Sequence, residues 1–261
     1  MSHWFDLIEK HKKILIEASR DHYKSWTLSY SLPLFHLQKV KQGESPIHIA
    51  VISYSEKQAQ KNLSRVRKKI ESTPELKYLM PKQKSYVWDS RQLELSNECS
   101  LEAFGFGSSI RGGHFDWVII DDACKDKGSG SMSVDEQVQF FYGVIIPALK
   151  KRGVGRLVIT GNPVDKVDFL WHMEQNPEIP TFKFPAILDD GTPLCPEHYT
   201  VEDIHEKRDL IPPHIFAREY MLRRVSSADS LFKEHWIHYY TPPEIEGKSL
   251  YKTMTIDPVP P

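Results

Sequence analysis

The chain has 261 residues, 40% hydrophobic and 26% charged, with 34 basic against 35 acidic side chains. That size suits one large domain, or a core with a small appendage, and the near-cancellation of charge excludes a basic field over the whole molecule, so any nucleic-acid contact has to come from a local patch. Cys99, Cys124 and Cys195 are odd in number and scattered, which excludes a disulfide framework, and no apolar run approaches the ~20 residues of a membrane span, so the reading is a cytosolic protein with no membrane contact.

The start, MSHWFDLIEK, lacks the basic region followed by an apolar core that a leader peptide is expected to show. His3, Trp4 and Phe5 could stack near a base or pack on the core. The first apolar run is ILIEA from Ile14, the next IHIAVISY from Ile47, then DWVIIDD from Asp116 and RLVITGN from Arg156. All four are rich in β-branched residues, as strands buried on both faces tend to be. Between the first two, residues 23–40 read as a helix that Pro33 must kink or break. Residues 55–72 carry an apolar stripe surrounded by basic residues, with Ser55 as N-cap.

Residues 86–107 alternate apolar and polar side chains around Asn97, the pattern of an antiparallel hairpin added at a sheet edge. Residues 125–133 form a Gly/Ser loop, and residues 134–152 a helix capped by Ser133, within which Pro147 sits awkwardly. Beyond residue 165 the pattern changes to helices and proline-bounded loops, a small lid-like subdomain. Cys195 with His198, and His235 with His238, have ligand-like spacing, but two pairs without four clean ligands read as chance rather than zinc. The basic run 65–69 and the pair Lys150, Lys151 are either DNA-backbone patches or solvated helix faces.

Three strand ends carry chemistry. EASRDHYKSW sets Lys24 and Ser25 where the first strand turns into a helix, whose free N–H groups, with a lysine and a hydroxyl, suit phosphates and magnesium. The glycines that a Walker A pattern has six residues and one residue before its lysine are here Ala18 and Tyr23. A surface Lys-Ser pair on an ordinary helix start stays open, although Arg20 adds a second cation suited to a triphosphate. Asp121 and Asp122 end the third run. In a parallel sheet they face the crevice of the phosphate loop, where one acid can serve a magnesium shell and the other a water, unless both are merely solvated. Thr160, Gly161 and Asn162 end the fourth run, as a γ-phosphate neighbour or a turn. The order of phosphate loop, helix-and-hairpin insertion, acidic strand, helix and polar-ended strand is that of an additional-strand P-loop NTPase: an α/β fold with a mostly parallel central sheet flanked by helices.

In order, these residues resemble the large terminases of tailed phages. EASRDHYKSW is similar to their deviant Walker A, GFGSSIRGGHFDWVIIDD to the Ile-Arg-Gly element leading into Walker B, LVITGNP to their coupling motif, and residues 216–240 to the region closing the ATPase lid. The resemblance implies an ATPase core over 1–165, remaining core and lid or linker over 166–250, and the start of a nuclease domain or linker at 251–261. It implies ATP and Mg²⁺ as ligands, with residues 18–25 (Ala18, Ser19, Arg20, Asp21, His22, Tyr23, Lys24, Ser25) around the phosphates, Arg20 on the γ-phosphate or the loop, and Ser25 and Asp121 on the metal. Asp122 would be catalytic, one methylene shorter than the glutamate of many relatives. Arg111 would be an arginine finger offered to a neighbouring subunit, worth ~10³ or more in rate, or else a loop arginine on DNA or solvent. Thr160, Gly161 and Asn162 would form the coupling motif. Asp257 would be a first nuclease acid, and one carboxylate cannot hold a two-metal site, so no nuclease activity is expected.

The implied partners are double-stranded DNA, the capsid portal, a small terminase subunit and further copies in a ring, in the cytoplasm of an infected bacterial host. Two other functions fit these residues: a helicase-like DNA-remodelling ATPase, for which no second lysine-bearing phosphate loop follows residue 165, and a catalytically inactive docking module of the same fold.

Overall fold

The computed structural model describes residues 2–110, 113–123, 132–150 and 154–225. The four apolar runs are strands, β1 Lys13–Ala18, β2 His48–Ser53, β5 Trp117–Asp121 and β6 Arg156–Gly161. The expected hairpin is present as β3 Gln92–Glu94 and β4 Ser100–Gly105, antiparallel to each other. A seventh strand, β7 Thr181–Phe184, had no clear sequence signal, being four residues long between Pro180 and Pro185. The order across the sheet is β3-β4-β2-β5-β6-β1-β7, every pairing parallel except β3 with β4.

Strand β6 thus separates β1, which leads into Lys24 and Ser25, from β5, which ends in Asp121, the arrangement expected of an additional-strand NTPase. Register aligns Ser53 with Asp121 and Asp121 with Thr160, so these three polar residues form a row on one face at the C-terminal ends of their strands.

Alternate residues of each central strand feed two cores. Ile14, Ile16, Ile49, Val51, Ile119 and Val158 face one side, under α1 Ser2–Lys10, α2 Leu32–Lys39 and α3 Glu56–Ser72. Leu15, Ile52, Val118, Ile120, Leu157 and Ile159 face the other, with Phe141, Phe169 and Leu170 packed over them. Leu170 and Phe169 belong to α6 Phe169–Glu174. Burial on both faces explains why these strands read as continuous apolar runs. Trp4 is buried against Phe184 and Phe5 meets Phe35 edge-on, so the N-terminal aromatics are core packing.

Both prolines flagged inside helices sit just after a π-helical turn. Trp26–Ser31 is π-helical and passes into α2, with Pro33 in its first turn. Likewise α4 Val134–Phe140 passes through the π segment Phe141–Ile145 into the short α5 Ile146–Ala148, which holds Pro147 in its first turn. The wide turn shifts the hydrogen-bond ladder where proline lacks a donor. The expected caps form: Ser55 Oγ accepts from Gln58 N at 3.3 Å, and Ser133 makes a capping box with Glu136.

Past β7, α7 Val201–Leu210 and α8 Pro213–Glu219 enclose a third small core of Ala186, Ile204, Phe216 and Tyr220. Among the described residues no helix is long and apolar enough to cross a membrane.

Candidate nucleotide site

The loop after β1 is held from both sides. Ala18 is still a strand residue, in register with Phe184, so the first expected glycine position is extended backbone that any residue adopts. Ser19 N donates to Phe184 O and Arg20 N to Glu219 O, both at 2.9 Å. Asp21 and Tyr23 then take φ of 64° and 61°. This is the left-handed conformation that glycine supplies without strain, and an L residue bears it at a cost of about 1–2 kcal/mol. Tyr23 therefore holds a turn that a glycine at this position would make without strain.

The loop's side chains are clamped by the C-terminal elements. The Asp21 carboxylate accepts from Lys207 Nζ and from the Tyr220 hydroxyl, each at 3.3 Å. The Tyr23 ring lies 5.0 Å from that of His198, and His22 lies 5.1 Å from Tyr199. His22 is buried, its Nδ1 2.7 Å from the Arg20 carbonyl, and burial pushes its pKa down. Arg20, mostly exposed, lies 3.7 Å from Glu219.

Helical conformation starts at Lys24. Lys24 Nζ donates to Asn162 Oδ1 and lies 3.7 Å from Asp122 Oδ1. Ser25 Oγ donates to Asp121 Oδ1 at 3.0 Å. Lys24, Ser25, both acids at the end of β5 and the asparagine after β6 thus share one crevice at the C-terminal edge of the sheet. The two acids differ. Asp121 is buried, and its other oxygen accepts from Asn62 Nδ2 at 3.2 Å. Asp122 lies just past the strand, partly exposed, with φ of 50°. Burial, then the charge of Asp122, pushes the Asp121 carboxyl up to about 6, against the pull of Lys24 and Ser25.

The donor set fits magnesium. Mg²⁺ takes oxygens at about 2.0–2.1 Å in an octahedron, whose adjacent oxygens are then roughly 3 Å apart, and Ser25 Oγ and Asp121 Oδ1 are 3.0 Å apart. Among the described residues no three His, Cys, Asp or Glu side chains cluster as a metal cage. Beside Asp121, Ser53 Oγ and Thr160 Oγ1 are buried without hydrogen-bond partners, polar atoms of the kind that water or a ligand completes.

Asn162 joins two elements: its Oδ1 takes the lysine and its Nδ2 donates to Glu219 O at 2.8 Å, at the end of α8. Behind the loop, Glu17, fully buried on β1, meets Arg224 at 2.6 Å. Arg224 also binds Asp168 at 2.7 Å and Glu174 at 3.2 Å. Burial pushes Glu17 up to about 7 despite Arg224 and Lys183.

In sequence, no family profile and no curated protein matches the chain. In structure it is similar to the large terminase ATPase domain of Thermus phage P74-26, at a TM-score of 0.59 and 16% identity over 86% of this chain and 98% of that one. The fold is that of a phage large terminase ATPase domain. The large terminase of thermophilic bacteriophage D6E is similar at a TM-score of 0.56 and 10% identity, over 87% of this chain and 53% of that one. The HK97 bacteriophage large terminase follows at 0.53 and 15%, over 80% and 46%. The chain thus spans nearly all of the P74-26 domain and about half of the other two proteins. The D6E terminase has also been solved with ATP-γ-S, in a form similar to this chain at 0.55 and 12% identity over 84% and 49%.

Arg111, Cys124, Lys151, His235, His238 and Asp257 lie outside the described residues, as do residues 226–261. Of the other flagged groups, His198 faces Tyr23, while Lys150 is bonded to Asp116 at 2.9 Å. A cavity of about 650 Å³ lined by Lys10, Lys12, Lys13, Lys150 and Glu178 opens at the start of β1, the opposite end of that strand from the phosphate loop. Sequence reasoning missed Asn62, Glu219, Glu17 and Arg224. Two left a readable signal: Asn62, a polar residue within the apolar stripe of α3, and Glu17, a carboxylate within the apolar run of β1.

Proposed function

We propose that this chain is the ATP-hydrolysing motor domain of a phage large terminase and drives double-stranded DNA into a procapsid. The observation that carries the proposal is the convergence of Lys24, Ser25, Asp121 and Asp122 in one crevice. The fold shared with terminase ATPase domains, one of them solved with an ATP analogue, supports it.

Residues 18–25 wrap the phosphates, and Lys24 exchanges Asn162 for the β and γ oxygens. Ser25 and Asp121 hold magnesium, which when bound neutralises phosphate charge. Asp122, at the open end of the crevice, orients the attacking water and accepts its proton. Once Lys24 turns to the phosphates, Asn162 keeps only Glu219, so nucleotide occupancy is felt at α8. This gives Thr160, Gly161 and Asn162 their coupling role and residues 166–250 the role of lid and linker. Arg111 serves the nucleotide of a neighbouring subunit in a ring on the portal, with the small terminase subunit as a further partner, and Asp257 belongs to a nuclease portion.

Phosphate release from Mg-ATP tests this directly. Release stimulated by duplex DNA and abolished by Lys24→Ala is expected. No ATP binding by the wild-type chain, together with no release under either condition, would make it the inactive docking module.

A further inference from the structure

Helix α3 is built with two unlike faces. Ala59, Asn62, Leu63, Val66 and Ile70 are buried on the sheet. The outer face carries Lys57, Lys61, Arg65 and Lys68, all exposed, at intervals of four, four and three residues, which places them in one line. They line a groove of about 420 Å³ together with Gln60 and Ser64. The helix has only two acids, and both are engaged: Glu71 by Arg67 at 3.5 Å and Glu56 by Arg91 at 3.9 Å. Among the described residues Lys57, Lys61 and Lys68 have no acidic partner. The chain is close to neutral overall, so this unneutralised line is a local field.

The line also reaches the acidic strand. Arg65 Nη1 donates to Asn62 Oδ1 at 3.2 Å, and Asn62, fully buried, donates to Asp121 Oδ2 at 3.2 Å. A single side-chain amide therefore connects an exposed cation of the groove to the buried carboxylate of the crevice.

We propose that the α3 groove binds the phosphate backbone of double-stranded DNA, and that Arg65 and Asn62 transmit its occupancy to Asp121. At 1.5 Å per residue the four cations span about 16 Å, the axial rise of roughly five phosphates on one strand at 3.4 Å each. Lys, Arg, Gln and Ser are all donors to phosphate oxygens. The lining holds no aromatic or aliphatic side chain to anchor a protein partner by apolar burial. The cleft at the start of β1 is a poorer track: Glu178 lines it and Lys150 is already bonded to Asp116. When a phosphate draws Arg65 outward, Asn62 loses its acceptor contact and is free to reorient, which changes the hydrogen bonding of Asp121. Asn62 is a positioning residue here. Only this second half of the inference rests on the proposed ATPase site.

The test has two arms. In the first, a fluorescent duplex of arbitrary sequence is titrated without nucleotide at several salt concentrations. Replacing Lys57, Lys61 and Lys68 together by alanine should flatten the slope of log affinity against log salt by about 3. An unchanged slope, or binding of polyglutamate in place of the duplex, overturns the surface. In the second, the Mg²⁺ dependence of fluorescent ATP binding is measured with and without the duplex. DNA should shift the wild-type Mg²⁺ midpoint several-fold, and the shift should vanish in Asn62→Leu and in Arg65→Ala. Asn62→Leu keeps all four cations and so should keep duplex affinity, while Arg65 is exposed and its truncation leaves the core intact. A persistent shift in Arg65→Ala refutes the link. Failure of the wild-type chain to bind ATP, with duplex binding intact, would refute the ATPase site and leave the surface standing.

Discussion

At position 23, glycine should be more stabilising than alanine. Elsewhere in a chain alanine is favoured over glycine by roughly 0.5–1 kcal/mol, because glycine has more backbone freedom to lose on folding. Tyr23 has φ of 61°, where a Cβ costs about 1–2 kcal/mol. Tyr23→Ala and Tyr23→Gly both remove the ring contact with His198, at 5.0 Å between centroids, so that loss cancels in the comparison. What remains is the strain relieved by glycine less its entropy cost, a net advantage for glycine of about 0.5–1 kcal/mol. Urea denaturation of the two variants, with equal slopes, measures the difference. Tyr23→Gly should also bind ATP at least as well as Tyr23→Ala, since it keeps the loop shape. If Tyr23→Ala proves equally or more stable, the loop does not hold the left-handed turn, and the argument that a tyrosine can replace the missing glycine falls.

Three further outcomes follow from the geometry. Asp122→Asn should retain ATP binding, by fluorescence titration, and lose turnover; undiminished phosphate release removes Asp122 from catalysis. The carboxyl of Asp121, raised to about 6, is contested by proton and metal. Apparent Mg²⁺ affinity should therefore fall more steeply with acid below about pH 6 than titration of the nucleotide's own phosphate accounts for, and Asp121→Asn should lose that additional steepness. Arg224→Ala removes the closest partner of fully buried Glu17 and should cost about 3 kcal/mol or more in chemical denaturation. Because burial holds Glu17 at about 7 even with Arg224 beside it, and higher without it, the deficit should be largest well above that value and shrink as pH falls toward it and the carboxyl takes up a proton, and adding Glu17→Gln should recover much of it.

The sheet was legible because its central strands are buried on both faces: each reads as an unbroken β-branched run, and the four runs include the three strand ends that meet at the crevice. The caps at Ser55 and Ser133 and the hairpin around Asn97 followed from local chemistry, which needs no knowledge of the fold. Strand β7 escaped because it is short, and its Lys183 is exposed, so neither continuous burial nor clean alternation marks it. The crevice was legible to the extent that its chemistry sits at strand ends. Pairing of Lys24 with Asn162 and of Ser25 with Asp121 follows once β6 lies between β1 and β5. The clamp of Lys207 and Tyr220 on Asp21, and the grip of Arg224 on Glu17, join residues roughly 190–210 positions apart through ordinary surface-type side chains. Nothing local distinguishes Lys207, Tyr220 or Arg224 from solvated side chains before the chain is folded, and Glu17, set in an apolar run, does not name its partner.

The central claim is that the crevice between the phosphate loop and β5 receives the triphosphate. A crystal structure with ATP-γ-S and Mg²⁺ tests it most directly. The expected result is Lys24 Nζ turned from Asn162 to a γ-phosphate oxygen, with Ser25 and Asp121 around the metal and Asp122 facing the water in line with the γ phosphorus. Nucleotide bound elsewhere, for instance in the cleft of Lys10, Lys12 and Lys13, with Lys24 still on Asn162, would contradict it.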